Sequence, residues 1–200
     1  MQILKASRLT WEDLNSSFDL NFTREIDFFP EGNEPTTQQL SQEEKKLLKD
    51  LEDGYFNLST QANLAESAVR MAIVDPLLFV GKFFLPPYKV KTEEAIAIST
   101  EEENVVIQGR IDVLVLRDAF WVLVIESKQT IYSVDVGLPQ ILAYMSAAPQ
   151  KNQGVFGLIT NGGEFLFVKL QGKQYGTSRL FSLRNPGDLE QVFVILKKLC

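Results

Sequence analysis

The sequence predicts an α/β fold with a mixed central β-sheet flanked by helices. Residues 105–116 contain IDVLVL, and residues 120–125 are nearly all apolar. A nearly continuous apolar run is typical of a strand buried on both faces. Segments with apolar residues at helical spacing lie before and after these strands. The predicted order is a helix, three strands, a helix, further strands and a closing helix, which is typical of helices packed on the faces of a mixed sheet.

Residues 1–58 are expected to form an acidic N-terminal extension with one helix, ahead of a core formed by residues 59–200. Ser41 and Glu44 have the spacing of a capping box, so the helix is expected to begin just after Ser41. It is expected to end at about Leu51, before the turn signal at Gly54. The first forty residues show only weak alternation, which indicates a short strand or an extended arm followed by a loop.

The core is expected to open with a helix that starts at Ser59 or Asn63 and is bent by Pro76 near its end. In the second case Glu66 would complete another capping box. Asp118-Ala119 is a short turn between two apolar runs, so these strands are expected to pair antiparallel. The other predicted elements are strands at 88–99, 155–160, 164–170 and 175–183 and helices at 135–145 and 186–198.

The composition excludes several kinds of catalytic site. The chain has no histidine and a single cysteine, Cys200. Nucleophile systems that depend on histidine and zinc sites built from histidine or several cysteines are therefore excluded. Any catalysis has to use carboxylates, lysine, tyrosine, hydroxyl groups or a bound hard cation.

Charge and hydropathy restrict the location and the partners. The apolar runs are far shorter than the roughly 20 residues of a membrane span, and no signal peptide is evident. With one cysteine, a cytoplasmic protein without a membrane is expected. The net charge of −6 arises in residues 1–85, whereas residues 140–200 carry seven basic and three acidic side chains. A local basic groove is therefore compatible with an acidic chain.

Three residues on two neighbouring strands suggest a catalytic site. Asp112 interrupts one apolar run, and Glu126 and Lys128 end the next. Side chains alternate along a strand, so Glu126 and Lys128 share a face. If the strands form a hairpin, Asp112 comes opposite the same end. The expected result is two carboxylates and an ammonium group at one edge of the sheet.

Such a group suits metal-dependent cleavage of a phosphodiester. A cation neutralises the phosphate and lowers the pKa of an attacking water. Mg²⁺, with Mn²⁺ as a substitute, needs only one or two carboxylates, here Asp112 and Glu126. The backbone carbonyl of Ser127 is a further candidate ligand. Lys128 would orient the water or stabilise the charged phosphate.

The short pattern of an acidic residue two before a lysine is not specific. It occurs three times, and the pairs Glu43/Lys45 and Glu44/Lys46 lie on a surface helix. Only the pair Glu126/Lys128 follows a buried strand with an aspartate in the strand before it. A salt bridge at the surface end of a strand is the alternative interpretation of this third pair.

The surrounding sequence resembles a known superfamily. GRIDVLVLRDAFWVLVIESKQ, followed by PQILAY, resembles the PD-(D/E)xK nucleases, which have a restriction-endonuclease-like core and a trailing Q-x-x-x-Y element. The resemblance covers residues 60–170 and is nearest to the N-terminal nuclease region of type I restriction motor subunits. Two features depart from such enzymes, because Ile111 replaces a proline and the chain contains no P-loop motif.

The resemblance implies roles for particular residues. Asp112 and Glu126 would be metal ligands, and Lys128 would be the catalytic lysine. Gln140 and Tyr144, four apart and so on one helical face, would support the site or touch the nucleic acid. Glu66 matches the helix carboxylate that joins the metal shell in this superfamily. Capping of the helix or pairing with Arg70 explains this residue equally well.

Three functions remain open at this point. The first is a Mg²⁺-dependent endonuclease that acts alone on nucleic acid, with DNA as the expected substrate. The second is a binding or interaction protein on the same fold, catalytically idle or dependent on a protein partner or a homodimer. The third is a structural domain with an accidental motif, which the intact Asp/Glu/Lys set disfavours. Fold resemblance alone does not decide between the first two.

Overall fold

The computed structural model describes residues 2–33, 39–100 and 105–199. The strands are β1 (Gln2–Lys5), β2 (Asn21–Phe22), β3 (Tyr88–Thr100), β4 (Val105–Arg117), β5 (Phe120–Ser127), β6 (Val155–Thr160), β7 (Glu164–Gln171), β8 (Gln174–Thr177) and β9 (Phe181–Ser182). The α-helices are α1 (Trp11–Phe18), α2 (Pro30–Asn33), α3 (Gln42–Ser59), α4 (Glu66–Val69), α5 (Asp75–Val80), α6 (Leu138–Ser146) and α7 (Asp188–Leu199).

Among the described residues, nine strands form a single mixed sheet. Its main order is β1-β4-β5-β6-β7-β8-β2, with β3 on the other edge of β4 and β9 against β7. The pairs β1–β4, β5–β6 and β2–β8 are parallel, and the remaining pairs are antiparallel. The predicted class, a mixed central sheet flanked by helices, is confirmed.

The central hairpin forms as the sequence predicts. β4 and β5 are antiparallel, with Val113 opposite Ile125 and Leu114 opposite Val124. The turn between the strands contains Asp118 in the left-handed region, at a φ of 57°, and short polar side chains such as aspartate tolerate this region better than most. The hairpin brings the strand of Asp112 next to the strand of Glu126.

Two hydrophobic cores cover the two faces of the sheet. One combines α3, α5 and α7 with side chains such as Val113 and Phe167. The other combines α1 and α6 with side chains such as Leu114 and Leu166. The strands between these layers are buried on both faces, which explains their nearly continuous apolar sequences.

The first 58 residues contain more structure than was predicted. They hold α1, α2 and α3 rather than one helix, and β1 and β2 pair with β4 and β8 in the common sheet. The start of α1 has a local signal that the prediction missed. Thr10 accepts a hydrogen bond from the backbone of Asp13, whose carboxylate accepts one from the backbone of Thr10, which makes a complete capping box.

The predicted capping box of α3 is confirmed, but the predicted end of the helix is wrong. The hydroxyl of Ser41 accepts from the Glu44 amide at 3.1 Å, and the Glu44 carboxylate accepts from the Ser41 amide at 2.8 Å. The helix continues through Gly54 to Ser59. The buried side chains of Leu48 and Tyr55, seven residues apart on one face, hold the last turns against the core, which outweighs the low helix propensity of glycine.

The next helix begins later than either predicted start. Its N-cap is Ala65, without a side-chain cap, so the capping box proposed for Asn63 and Glu66 does not form. The amide of Leu64 donates to the hydroxyl of Thr130 at 3.0 Å, and the amide of Thr130 donates to the carbonyl of Leu64 at 3.2 Å. These bonds tie Leu64 to the loop that follows β5, and the helix begins only at Glu66.

A π-helical turn at Arg70–Val74 links α4 to α5. It ends just before Pro76, which has no N–H for the regular helical bond, and the wider turn accommodates this loss.

Two further predicted elements are each two separate elements in the structure. The predicted helix at 135–145 is a 3-10 turn at Val134–Gly137 followed by α6, and the predicted strand at 175–183 is β8 and β9. In the described part of the chain, no helix has the length and apolarity needed to span a membrane.

The glycine of β4, Gly109, has no room for a side chain. A Cβ there would collide with the Tyr144 ring at 2.8 Å and with the Ala6 Cβ at 2.7 Å. We expect Gly109→Ala to lower the free energy of unfolding by about 1–3 kcal/mol. Gly54→Ala, in α3 with nothing within 4 Å, should raise it by about 0.5–1 kcal/mol. Urea unfolding of both variants checks this, and equal effects would contradict it.

Candidate active site

The predicted site lies at a fork in the sheet. On one edge of β4, β1 pairs with residues 105–108 and β5 with residues 113–117, so residues 109–112 fall between the two registers. Side chains, instead of a neighbouring strand, bond to backbone groups there. The Tyr144 hydroxyl accepts from the Arg110 amide and donates to the Arg110 carbonyl, both at 3.1 Å. The Asp112 carboxylate accepts from the Ser127 amide at 2.7 Å.

A buried polar cluster lies beside this fork. Lys128 Nζ donates to Glu126 Oε1 at 2.8 Å and to Gln140 Oε1 at 2.7 Å. The Gln140 amide nitrogen donates to the same Glu126 oxygen at 2.6 Å and to the Tyr144 hydroxyl at 3.1 Å. Each bond to a charged group is of the stronger, charge-assisted kind. Four of the residues predicted from the sequence are therefore joined in one network.

Gln140 and Tyr144 occupy the positions expected from their spacing. Both lie on the face of α6 that packs against the sheet, and both are buried. Gln140 contacts Lys128 directly, whereas Tyr144 reaches it only through Gln140. Tyr144 therefore links the cluster to the backbone of β4.

Lys128 is more deeply buried than a strand end suggests. It is 8% exposed, its amide donates to the Thr160 carbonyl at 2.7 Å, and its side chain runs past Gly137. A Cβ at Gly137 would come within 3.2 Å of the Lys128 Cε. The salt bridge with Glu126 exists, but the interpretation as a surface pair is wrong because the pair is enclosed by α6 and the 3-10 turn before it.

Burial changes the acid strength of these groups. It raises the pKa of Glu126 to about 8, and the charge of Asp112 acts in the same direction while Lys128 opposes both. Burial also raises the pKa of Asp112, against the lowering effect of the hydrogen bond from Ser127. The pKa of Tyr144 rises to about 12, chiefly through burial, so the hydroxyl stays protonated. The charge of Asp112 acts on the pKa of Glu126, so the two carboxylates lie near each other.

Glu66 lies on the other side of the fork. It is exposed and lines a cleft of about 340 Å³ together with Asp112, Gln129 and Arg70. Its charge contributes to the raised pKa of both Asp112 and Glu126. Within residues 2–33, 39–100 and 105–199, however, no three acidic or cysteine side chains are arranged to hold a metal ion. Glu126 is turned towards Lys128 and Gln140 rather than towards Glu66.

Two charged residues of this cleft were not predicted as site residues. Arg70 lies one helical turn after Glu66, and Glu93 belongs to β3. The flanking pairs Thr92–Val113 and Glu94–Ile111 place Glu93 beside Asp112. Only the register of β3 against β4 reveals this neighbourhood, so the sequence offers no direct signal for it.

The chain is similar in structure to part of a solved protein. No protein-family model and no curated protein matches the chain. A solved fragment described as an HsdR subunit of a type I restriction enzyme, from Vibrio vulnificus YJ016, is similar to 68% of this chain, with 20% sequence identity and a TM-score of 0.45. The match covers 26% of that fragment. At this level of similarity, function has to be argued from the residues of the chain itself.

The raised pKa of Glu126 predicts a pH-dependent stability. A carboxyl group that is more basic when folded destabilises the fold above its folded pKa, and this penalty is relieved as the pH falls towards the unfolded value. The free energy of unfolding of the metal-free protein should therefore fall on the order of 1 kcal/mol per pH unit between pH 5 and 8. Glu126→Gln should flatten this slope and the exposed Glu43→Gln should not. Denaturant unfolding across this range checks it, and identical slopes would contradict it.

Proposed function

We propose that the chain is a metal-dependent phosphodiesterase that cleaves nucleic acid, with DNA as the first substrate to test, and that it belongs to the PD-(D/E)xK nucleases. The observation that carries the proposal is the buried contact of Lys128 with Glu126 and Gln140 next to Asp112. A lysine, two carboxylates and a supporting amide converge here from β4, β5 and α6. An isolated salt bridge would need neither the second carboxylate nor the amide.

The donor set fits a hard cation such as Mg²⁺. Glu126 Oε2 is buried and has no hydrogen-bond partner among the described residues. A buried carboxylate oxygen without a partner is costly, and a cation would satisfy it. Asp112 and Glu126 would hold the ion, with the Ser127 carbonyl and Glu66 as further ligands. Two protein carboxylates suffice because Mg²⁺ keeps several of its waters.

The chain's own residues then have distinct tasks. A bound cation supplies charge neutralisation and an acidified water. Lys128 supplies a positive charge and hydrogen-bond donors beside the reacting phosphate. Gln140 holds the Lys128 ammonium at 2.7 Å, and Tyr144 holds Gln140 and the backbone of Arg110. Mutual support of this kind keeps a catalytic group in one geometry.

The second candidate is a binding protein that is idle alone and acts only with a protein partner or as a homodimer. The burial of Lys128 favours this second candidate, because the Lys128 ammonium already donates to two oxygens inside the fold, one from Glu126 and one from Gln140. A partner or substrate would have to open this cluster. The two candidates differ in whether the isolated chain cleaves.

Cleavage should depend on Lys128 but not on the equivalent lysine of the surface motif. With Mg²⁺ or Mn²⁺, Lys128→Met should cut the rate of cleavage of plasmid, single-stranded DNA or RNA by about 10²–10³. Methionine keeps an apolar stem in the buried site. Lys45→Ala, from the Glu43/Lys45 pair, is the control and should cleave normally. Full activity of Lys128→Met would remove the nuclease proposal, and an inactive wild type would favour the binding protein.

The stability of the lysine variants is a separate expectation. Lys128→Ala breaks a buried pair and should lower the free energy of unfolding by about 3 kcal/mol, more than the few tenths expected of an exposed residue. Thermal unfolding of Lys128→Ala beside Lys45→Ala measures the difference. Equal melting temperatures would show that the buried pair contributes nothing.

Metal binding should depend on Asp112. Calorimetry with Mn²⁺ should detect weak binding by the wild-type chain, since two carboxylates hold such an ion loosely until substrate phosphate completes its shell. Asp112→Asn should abolish the signal, whereas Asp50→Asn on the exposed face of α3 should leave it intact. Binding that survives Asp112→Asn would place the ion elsewhere.

A further inference from the structure

A second group of charges lies on the α4 side of the fork. Arg70, in the π-turn after α4, places its Nη1 at 2.6 Å from Glu93 Oε1, and Arg110 of β4 places its Nη1 at 3.4 Å from Glu93 Oε2. One carboxylate therefore bridges two guanidinium groups. The bridge lies beside Asp112, since Arg70, Glu93 and Asp112 line the same cleft of about 340 Å³.

The guanidinium group of Arg70 has a hydrogen-bond donor that is not used among the described residues. The Arg70 side chain is only 17% exposed, and its Nε is buried without a hydrogen-bond partner among the described residues. A guanidinium group presents its N–H donors as a rigid fork that matches the oxygens of a phosphate or carboxylate. Glu93 engages a terminal nitrogen of that fork, and the Nε donor remains unsatisfied. An unsatisfied buried donor is costly, and a phosphate offers the guanidinium group more acceptor oxygens than the one carboxylate oxygen that Glu93 places there.

Glu93 is placed to leave this position. Its side chain is 49% exposed, so the carboxylate can turn towards solvent without crossing a packed core. Its backbone has a φ of 55°, a region that non-glycine residues seldom adopt. Glu93 supplies an internal anion to the two arginine residues, and it adds negative charge to a cleft that already contains Asp112 and Glu66.

We propose that Arg70 and Arg110 bind a backbone phosphate of the nucleic acid next to the cleavage site, and that Glu93 occupies this anion position until the substrate displaces it. The ligand class rests on the proposed function, whereas the exchange of one anion for another rests on the contacts of Arg70. Glu93 is then an autoinhibitory residue, and Arg70 is a phosphate-contacting residue rather than a structural one.

The test compares two neighbouring carboxylates of β3. Glu93→Gln and Glu94→Gln change the net charge equally, but Glu94 pairs with Lys91 at 2.6 Å and does not contact an arginine bridge. The probe is a fluorescein-labelled DNA oligonucleotide, as a single strand and as a duplex, with an RNA strand of the same sequence. Binding is measured by fluorescence anisotropy in EDTA, so that no metal and no cleavage are involved.

Glu93→Gln should tighten binding of at least one probe about tenfold relative to the wild type, and Glu94→Gln should change it less than twofold. Adding Arg70→Lys to Glu93→Gln should remove most of the gain, because lysine keeps the charge and loses the fork. An oligonucleotide with neutral methylphosphonate linkages should show no gain. Thermal unfolding confirms that each variant is folded.

Other results overturn the proposal. Equal effects of Glu93→Gln and Glu94→Gln would show a simple charge effect, and a gain that survives Arg70→Lys would show that Arg70 takes no part. Absence of binding to every probe, even by Glu93→Gln, would also reject it. Because the measurement excludes metal, a chain that binds as expected but never cleaves would reject the nuclease proposal and keep the phosphate position.

Discussion

The buried contact of Lys128 with Glu126 and Gln140 is the interaction on which the candidate site depends. A charge removed from water needs hydrogen-bond partners and an opposite charge, or it destabilises the fold. Glu126 and Gln140 each supply an acceptor to Lys128, and Gln140 also supplies a donor to Glu126. The absence of a Cβ at Gly137 leaves room for the lysine stem. Loss of any partner would leave another polar group buried and unsatisfied.

A gap in the pairing of the sheet provides the place in which this cluster lies between two apolar cores. Most of β4 is paired on both edges, but residues 109–112 lie between the registers of β1 and β5. The Tyr144 hydroxyl and the Asp112 carboxylate satisfy backbone groups there. The same gap that interrupts the ladder thus brings polar side chains to the centre of the molecule without leaving those backbone groups unpaired.

The two sides of the fork differ in chemistry. The α6 side is enclosed and holds Lys128 in a satisfied network, whereas the α4 side is an open cleft lined by Glu66, Arg70 and Glu93. Asp112 lies between them, with a hydrogen bond to β5 and a place in the cleft. A substrate would meet the open side first.

The sequence by itself determined the local features. The alternation and apolar runs identified β4 and β5, the turn at Asp118 identified their antiparallel pairing, and the capping box at Ser41 identified the start of α3. The spacing of Gln140 and Tyr144 placed them on one face of a helix. These features depend on residues close in the chain, whose preferences are strong enough to be recognised without a fold.

Only the tertiary structure decided which charges meet and which are buried. Nothing near Lys128 in the chain indicates that α6 and Gly137 enclose it. Glu93 reaches Arg70 from a strand 23 residues away, and it lies beside Asp112 only because β3 and β4 pair in one register. The joining of β1 and β2 to distant strands was equally hidden. The physical reason is that burial and ion pairing depend on contacts between distant segments, and local propensity carries no information about them.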